Sequence, residues 1–183
     1  MILSTVKWSL EDYHHMINTG LLDDRPVELL AGEIVEMSPE DPAHAFFSSE
    51  AGNYLNRLLG DRALVSQAKP ITLPNRSEPE PDIAIVQPRG REYLNHHPYP
   101  ENIYWVMEYS NTSLDKDATV KYHIYAEAGI PEYWLVNLRT EELIVYRHPN
   151  GREYGTKITL TDGNISPLAF PDVTIPVAAI ISA

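Results

Sequence analysis

Ile103-Tyr104-Trp105-Val106-Met107-Glu108-Tyr109-Ser110 is the most apolar run in the chain, and it carries an acid, Glu108, near its end. Its length and its aromatic and β-branched content read as a buried strand. Residues Leu114 to Ala128 follow with a helical pattern that Gly129 closes at a C-cap position, with Pro131 just beyond. Tyr133-Trp134-Leu135-Val136-Asn137 then resumes as a strand. Strand, helix and strand in that order predict a crossover, and with it an α/β architecture: a mixed sheet flanked by helices.

Working outward, Pro81-Asp82-Ile83-Ala84-Ile85-Val86 is a second apolar strand, and it opens on an acid. Further strands are expected at Ala63 to Ala68 and Ile71 to Leu73, with Gln87 to Asn102 as a loop. Val27 to Ala31 and Glu33 to Met37 alternate around Gly32 as a short hairpin. Ser9 is placed to cap a first helix, with Asp12 at its third position, Trp8 and Tyr13 as a staple and Gly20 to end it. Asp41-Pro42 starts a second helix that runs to Leu59 before Gly60. Glu142 to Tyr146 and Lys157 to Leu160, around His148-Pro149-Asn150-Gly151, read as a terminal meander.

The 183 residues suit one domain over 1–183, and 43% hydrophobic residues supply a core. The absence of cysteine excludes disulfides, thiolate zinc sites and cysteine nucleophiles. The N-terminus lacks a basic start and a long apolar segment, and no stretch has the roughly 18 apolar residues of a membrane span. The expectation is a soluble cytoplasmic protein with no membrane partner. Fourteen Lys and Arg against 26 Asp and Glu give a formal charge of −12, which opposes non-specific attraction to a polyanion. A chain of this kind that works on nucleic acid must localise its basic groups or recruit metal ions.

Two carboxylates at strand ends suit a hard cation such as Mg2+, which takes oxygen ligands and meets substrate phosphates. Asp82 and Glu108 have that chemistry, although a lone acid at a strand end also caps backbone N–H groups. Lys121 falls within the apolar stripe of Ala118, Tyr122, Tyr125 and Ala128 and is expected to point inward. A buried ammonium requires a carboxylate partner, a substrate anion or a route to solvent. The competing reading is a surface pair with Asp117, one helical turn away.

Several ordered landmarks now carry a resemblance: Val27-Glu28-Leu29-Leu30-Ala31-Gly32-Glu33-Ile34-Val35; Met37-Ser38-Pro39 followed by His44; Glu80-Pro81-Asp82-Ile83-Ala84-Ile85-Val86; Val106-Met107-Glu108-Tyr109-Ser110; Lys121-Tyr122 and Tyr125; and Gly129 to Asn137. In these the sequence is similar to the Uma-two family, described as restriction endonucleases of the PD-(D/E)XK nuclease superfamily. The resemblance implies a restriction-endonuclease-like core in which Asp82 and Glu108 hold Mg2+ or Mn2+, with DNA as partner. The position two after Glu108 is Ser110, where the superfamily pattern expects lysine. The resemblance assigns that lysine's part to Lys121, positioning or activating water.

Glu28 matches the acid that an early element supplies to such sites, and Glu33 on the other arm of the hairpin competes with it. Alternation places Glu28 with Leu30 on a face that can meet a cleft. His44, early in its helix, Ser110, and Tyr125, one turn after Lys121, are accessory candidates. Arg76, Arg89 and Arg91 surround the Asp82 strand as candidate phosphate contacts. Three functions remain open: a metal-dependent endonuclease working as a homodimer, a non-catalytic binding module, and a small-molecule phosphohydrolase.

Overall fold

The computed structural model describes residues 5–110 and 117–182. Helix α1 spans Leu10–Asn18, followed by the strands β1 (Val27–Leu30) and β2 (Glu33–Glu36) and helix α2 (Pro42–Leu59). The main sheet begins with β3 (Leu64–Gln67), β4 (Ile83–Val86) and β5 (Ile103–Ser110). It continues, beyond helix α3 (Asp117–Glu127), with β6 (Glu132–Asn137), β7 (Glu142–Asn150) and β8 (Glu153–Leu160). The short strands β9 (Asn164–Ile165) and β10 (Ile175–Pro176) and helix α4 (Ala178–Ile181) complete the order.

The main sheet runs β3-β4-β5-β6-β7-β8. Only the β5–β6 pair is parallel, and α3 is the crossover that joins it. This is the mixed sheet flanked by helices that the sequence predicts. Alternation along β5 divides its side chains between two cores. Trp105, Met107 and Tyr109 pack with Ala51, Leu55 and Leu59 of α2 and with Ile180 and Ile181 of α4. Val106 faces the opposite side, with Ile124 and Tyr125 of α3, Leu30 of β1, and Tyr133 and Leu135 of β6. Glu108 and Ser110 share parity with Val106, so both belong to the α3 side. Ile83 pairs with Met107 and Ala84 with Val106, so continuing the register by one residue sets Asp82 opposite Glu108.

Local signals explain the elements that frame this point. Ser9 and Asp12 form a reciprocal capping box on α1, each side chain accepting the other's backbone N–H at 3.1 Å. Asp41 accepts from the N–H groups of Ala43 and His44, so α2 starts at Pro42 and aims its first turn at the sheet end. The β1–β2 hairpin turns through Ala31 and Gly32, both at positive φ, in a two-residue connection. Gly129, at φ +77°, closes α3. The expected start of α3 at Leu114 lies outside the described residues, as does the side chain of Asp117.

Three expectations are corrected. Residues 71–73 do not form a strand: Leu73 N–H donates to Ser77 O and Ile71 N–H to Pro79 O in a tight excursion. Pro70, Pro74, Pro79 and Pro81 cannot donate and so interrupt any ladder there. The loop 87–102 holds 3-10 turns at Gly90–Leu94 and Pro100–Asn102. The terminal meander is longer than its apolar pattern, since β7 runs on through His148 to Asn150 and turns at residues 151 and 152. Pro149 is tolerated because it lies beyond the end of β6 and pairs only with β8.

Candidate active site

A cleft of about 430 Å³ opens where the ends of β4 and β5 meet β1, α3 and the first turn of α2, and Glu28, His44, Asp82, Glu108, Ser110 and Lys121 all line it. Lys121 is the hub of one half. Its Nζ is 3.1 Å from Glu108 Oε1 and 3.3 Å from Glu28 Oε2. It points inward because it shares a helical face with Ile124, Tyr125 and Ala128, packed against the sheet. Tyr125, one turn on, donates its hydroxyl to Glu108 Oε1 at 2.6 Å. Glu28 is held from the other side by the Glu80 N–H, at 3.0 Å. That contact exists because Glu78 N–H bonds Leu29 O and lays the segment before Asp82 alongside β1.

Asp82 organises the other half. Its Oδ2 accepts the Tyr109 N–H at 2.6 Å and lies 2.9 Å from His44 Nε2. His44 Nδ1 faces Glu40 at 3.8 Å and makes no hydrogen bond. Among the described residues, the trio of metal-ligand type whose donor atoms fall within 4.8 Å of one another is Glu40, His44 and Asp82. The trio Asp82, Glu108 and Glu28 is not drawn that close; Glu28 and Glu108 converge on Lys121 instead.

The electrostatics follow from this burial. Desolvation pushes the Glu108 carboxyl up to about 7 although Lys121 beside it favours the ionised form, with Asp82 and Glu28 adding to the rise. Burial works against the Lys121 charge, but Glu108 and Glu28 outweigh it and hold the ammonium above its ordinary value. Burial likewise opposes the His44 charge, and the hydrogen bond and charge of Asp82 reverse the balance, so the imidazole is shifted upward. Burial and Glu108 raise the Tyr125 phenol, which keeps it a donor. Glu80 is raised by desolvation and by Glu28.

The remaining candidates lie elsewhere. Glu33 is exposed and paired with Lys7 at 2.6 Å. Arg76, Arg89 and Arg91 are not among the cleft's lining residues, and Arg89 pairs with Glu92 at 2.8 Å. Glu40 and Glu80 carried no role in the sequence reading. Glu40 had a usable signal, since it stands four residues before His44 across the helix start. Glu80 had another: it sits two positions from Asp82 inside the Glu80-Pro81-Asp82 landmark.

The sequence profile of the Uma2 family, whose description is "putative restriction endonuclease", matches residues 10–178. The chain belongs to the Uma2 family. A crystal structure of a "putative nuclease belonging to DUF820" from Anabaena variabilis superposes on this Uma2 chain with a TM-score of 0.74 at 16% identity. The superposition covers 97% of this chain and 98% of that one, and at this identity the likeness shows that the two share a fold. No curated protein matches the chain. Among the described residues of this Uma2 protein no helix is long and apolar enough to cross a membrane.

Proposed function

We propose that this Uma2 protein is a metal-dependent deoxyribonuclease that hydrolyses phosphodiester bonds. The observation that carries the reading is the convergence of Lys121 with two buried carboxylates, beside Asp82 and His44, in one cleft at paired strand ends. The donor set fits a divalent cation: carboxylate oxygens suit Mg2+ or Mn2+, and the imidazole Nδ1 without a hydrogen bond suits Mn2+ better than Mg2+. Asp82 would be the shared ligand, with Glu40 and His44 on one side and Glu108 and Glu28 on the other. When bound, the cation supplies Lewis-acid polarisation and positive charge for the phosphoryl group.

The chain's own residues account for the rest. Lys121, held as an ammonium, orients water and offsets negative charge on the phosphoryl oxygens. Its raised proton affinity favours positioning over the water-activating role considered from sequence. Tyr125 and the Glu80 N–H fix Glu108 and Glu28 so that Lys121 stays aimed. In the overall step the water oxygen bonds to phosphorus, the bond from phosphorus to the leaving oxygen breaks, and the proton lost by water ends on that leaving oxygen. A duplex has two strands, and two copies of the cleft in a homodimer would cut both.

The test incubates pure protein with plasmid, single-stranded and branched DNA plus Mg2+ or Mn2+, beside Asp82→Ala. Cleavage by the wild type that is absent from the variant is the expected result, and equal cleavage by both eliminates the mechanism. Turnover of nucleotides without cleavage of DNA moves the assignment to a small-molecule phosphohydrolase. No turnover, with a melting temperature flat across millimolar metal, moves it to a binding module.

A further inference from the structure

Ser110 ends β5 with a hydroxyl that nothing described so far employs. It lies two residues beyond Glu108, so the alternation of the strand sends its side chain to the same face, toward the cleft it lines. Its backbone is pinned: Leu138 N–H donates to the Ser110 carbonyl at 2.9 Å, and the strand pairs there with Asn137. The residue is 6% exposed, and its Oγ is buried without a hydrogen-bond partner. Hydroxyls in that state are rare, because a group stripped of water is nearly always given a protein or water partner in return. Of the five buried side-chain atoms left unpartnered among the described residues, three line this one cleft: Ser110 Oγ, His44 Nδ1 and the Tyr133 hydroxyl. Tyr133 sits on β6 across the same sheet face as Glu108 and Ser110.

The chemistry of the neighbours limits what such a hydroxyl can meet. Lys121 is already committed to Glu28 and Glu108, and Asp82 to Tyr109 N–H and His44. The Ser110 hydroxyl bonds to none of these carboxylates, so its donor is left for an acceptor that enters the cleft. A lysine at this position would bring a second ammonium beside Lys121, whereas a serine adds a donor and no charge. We propose that the Ser110 hydroxyl donates to a non-bridging phosphoryl oxygen, making it a phosphate-binding residue of the cleft. The proposal deepens the phosphodiesterase reading and rests on it for the identity of the ligand.

The probe is inorganic phosphate, titrated into wild type and Ser110→Ala with and without Mn2+ and followed by calorimetry. Removing a hydrogen bond to a charged group predicts roughly tenfold weaker phosphate binding by the variant. The rise in melting temperature on adding Mn2+ alone should be the same in both proteins. The metal-free variant should melt no lower than wild type, because the buried hydroxyl it loses makes no hydrogen bond. Equal phosphate affinity in wild type and variant overturns the proposal, and so does a wild type that binds no phosphate in either condition. Ser110-dependent phosphate binding by a protein that cuts no DNA leaves this site standing and removes the nuclease reading. DNA cleavage with phosphate binding indifferent to Ser110 does the reverse.

Discussion

Replacing Lys121 with methionine keeps most of the side chain's volume and removes the cation that stands between Glu28 and Glu108. In the wild type, burial already pushes the Glu108 carboxyl up to about 7 with the ammonium 3.1 Å away. Without the ammonium the carboxyl must rise further. The sign follows from proton linkage: a group raised in the folded state supports stability below its unfolded value and loses that support as pH climbs through its folded value. In the wild type the Glu108 contribution stops changing once pH passes about 7. In Lys121→Met it keeps falling, by about 1.4 kcal/mol per pH unit, until the new and higher value is reached. The excess destabilisation of the variant from this source is therefore near zero at pH 6 and grows with pH, to at most roughly 2–3 kcal/mol at pH 9. That figure lies just under the roughly 3–5 kcal/mol seen when one partner of a buried pair is removed. Urea unfolding at pH 6, 7.5 and 9 measures the difference, and Glu108→Gln in the same background should remove most of its pH dependence. A stability loss that is the same at pH 6 and pH 9 refutes the electrostatic account of the site and leaves Lys121 as a packing residue.

Glu132, fully buried, accepts from Trp134 Nε1, from Arg147 Nε and Nη2, and from the Leu168 N–H. Glu132→Gln should cost about 3–5 kcal/mol in urea unfolding by leaving Arg147 without its counter-charge, and a loss under about 1 kcal/mol contradicts that. His44 is shifted upward, so its pair with Asp82 contributes to metal-free stability below the unfolded value of 6.5 and fades as pH rises through the higher folded value. A metal ligand must shed that proton, so the melting shift produced by Mn2+ should grow between pH 6 and 8 more steeply in the wild type than in His44→Gln, where the Glu108 proton is still shed near pH 7. Identical growth in both proteins removes His44 from the metal site. Ser9→Ala should cost about 1 kcal/mol by opening the α1 capping box, read as faster amide exchange across residues 10–18, and unchanged exchange there counts against the cap.

Periodicity and capping were the signals that the sequence displayed openly, because both act within a few residues. The apolar run from Ile103 marked the start of β5, and Asp41-Pro42 placed the start of α2 at the observed residue. The helical stripe that carried Lys121 was right in direction and incomplete in membership, since Ile124 belongs to it and Tyr122 reaches out to Glu153. Contacts that depend on where one element meets another were not readable. His44 and Asp82 are 38 residues apart, and their meeting depends on the angle at which α2 meets the end of β4. The same limit hid the link between Glu80 and Glu28, which exists only because a proline-broken segment runs beside β1. Periodicity assigns a residue to a face; it carries no distance along that face, and a site is made of such distances.

The net charge of −12 acquires a location once the cleft is known. Seven of the side chains that line it are carboxylic acids, against a single lysine that is already held between two of them. Low-dielectric walls focus the field of these groups into the cavity, so divalent cations are drawn in and an approaching phosphate backbone is repelled. Affinity for a polyanion at this site cannot come from the protein's own charge, which separates it from nucleic-acid proteins that bind through a basic surface. For the proposed phosphodiesterase, cation and substrate would then be linked thermodynamically: each would bind weakly without the other, and the coupling would be reciprocal. A neutral donor on the floor of the cleft suits this arrangement better than another cation. It would leave the attraction for metal ions undiminished and would act only once a phosphoryl oxygen had been brought in beside them.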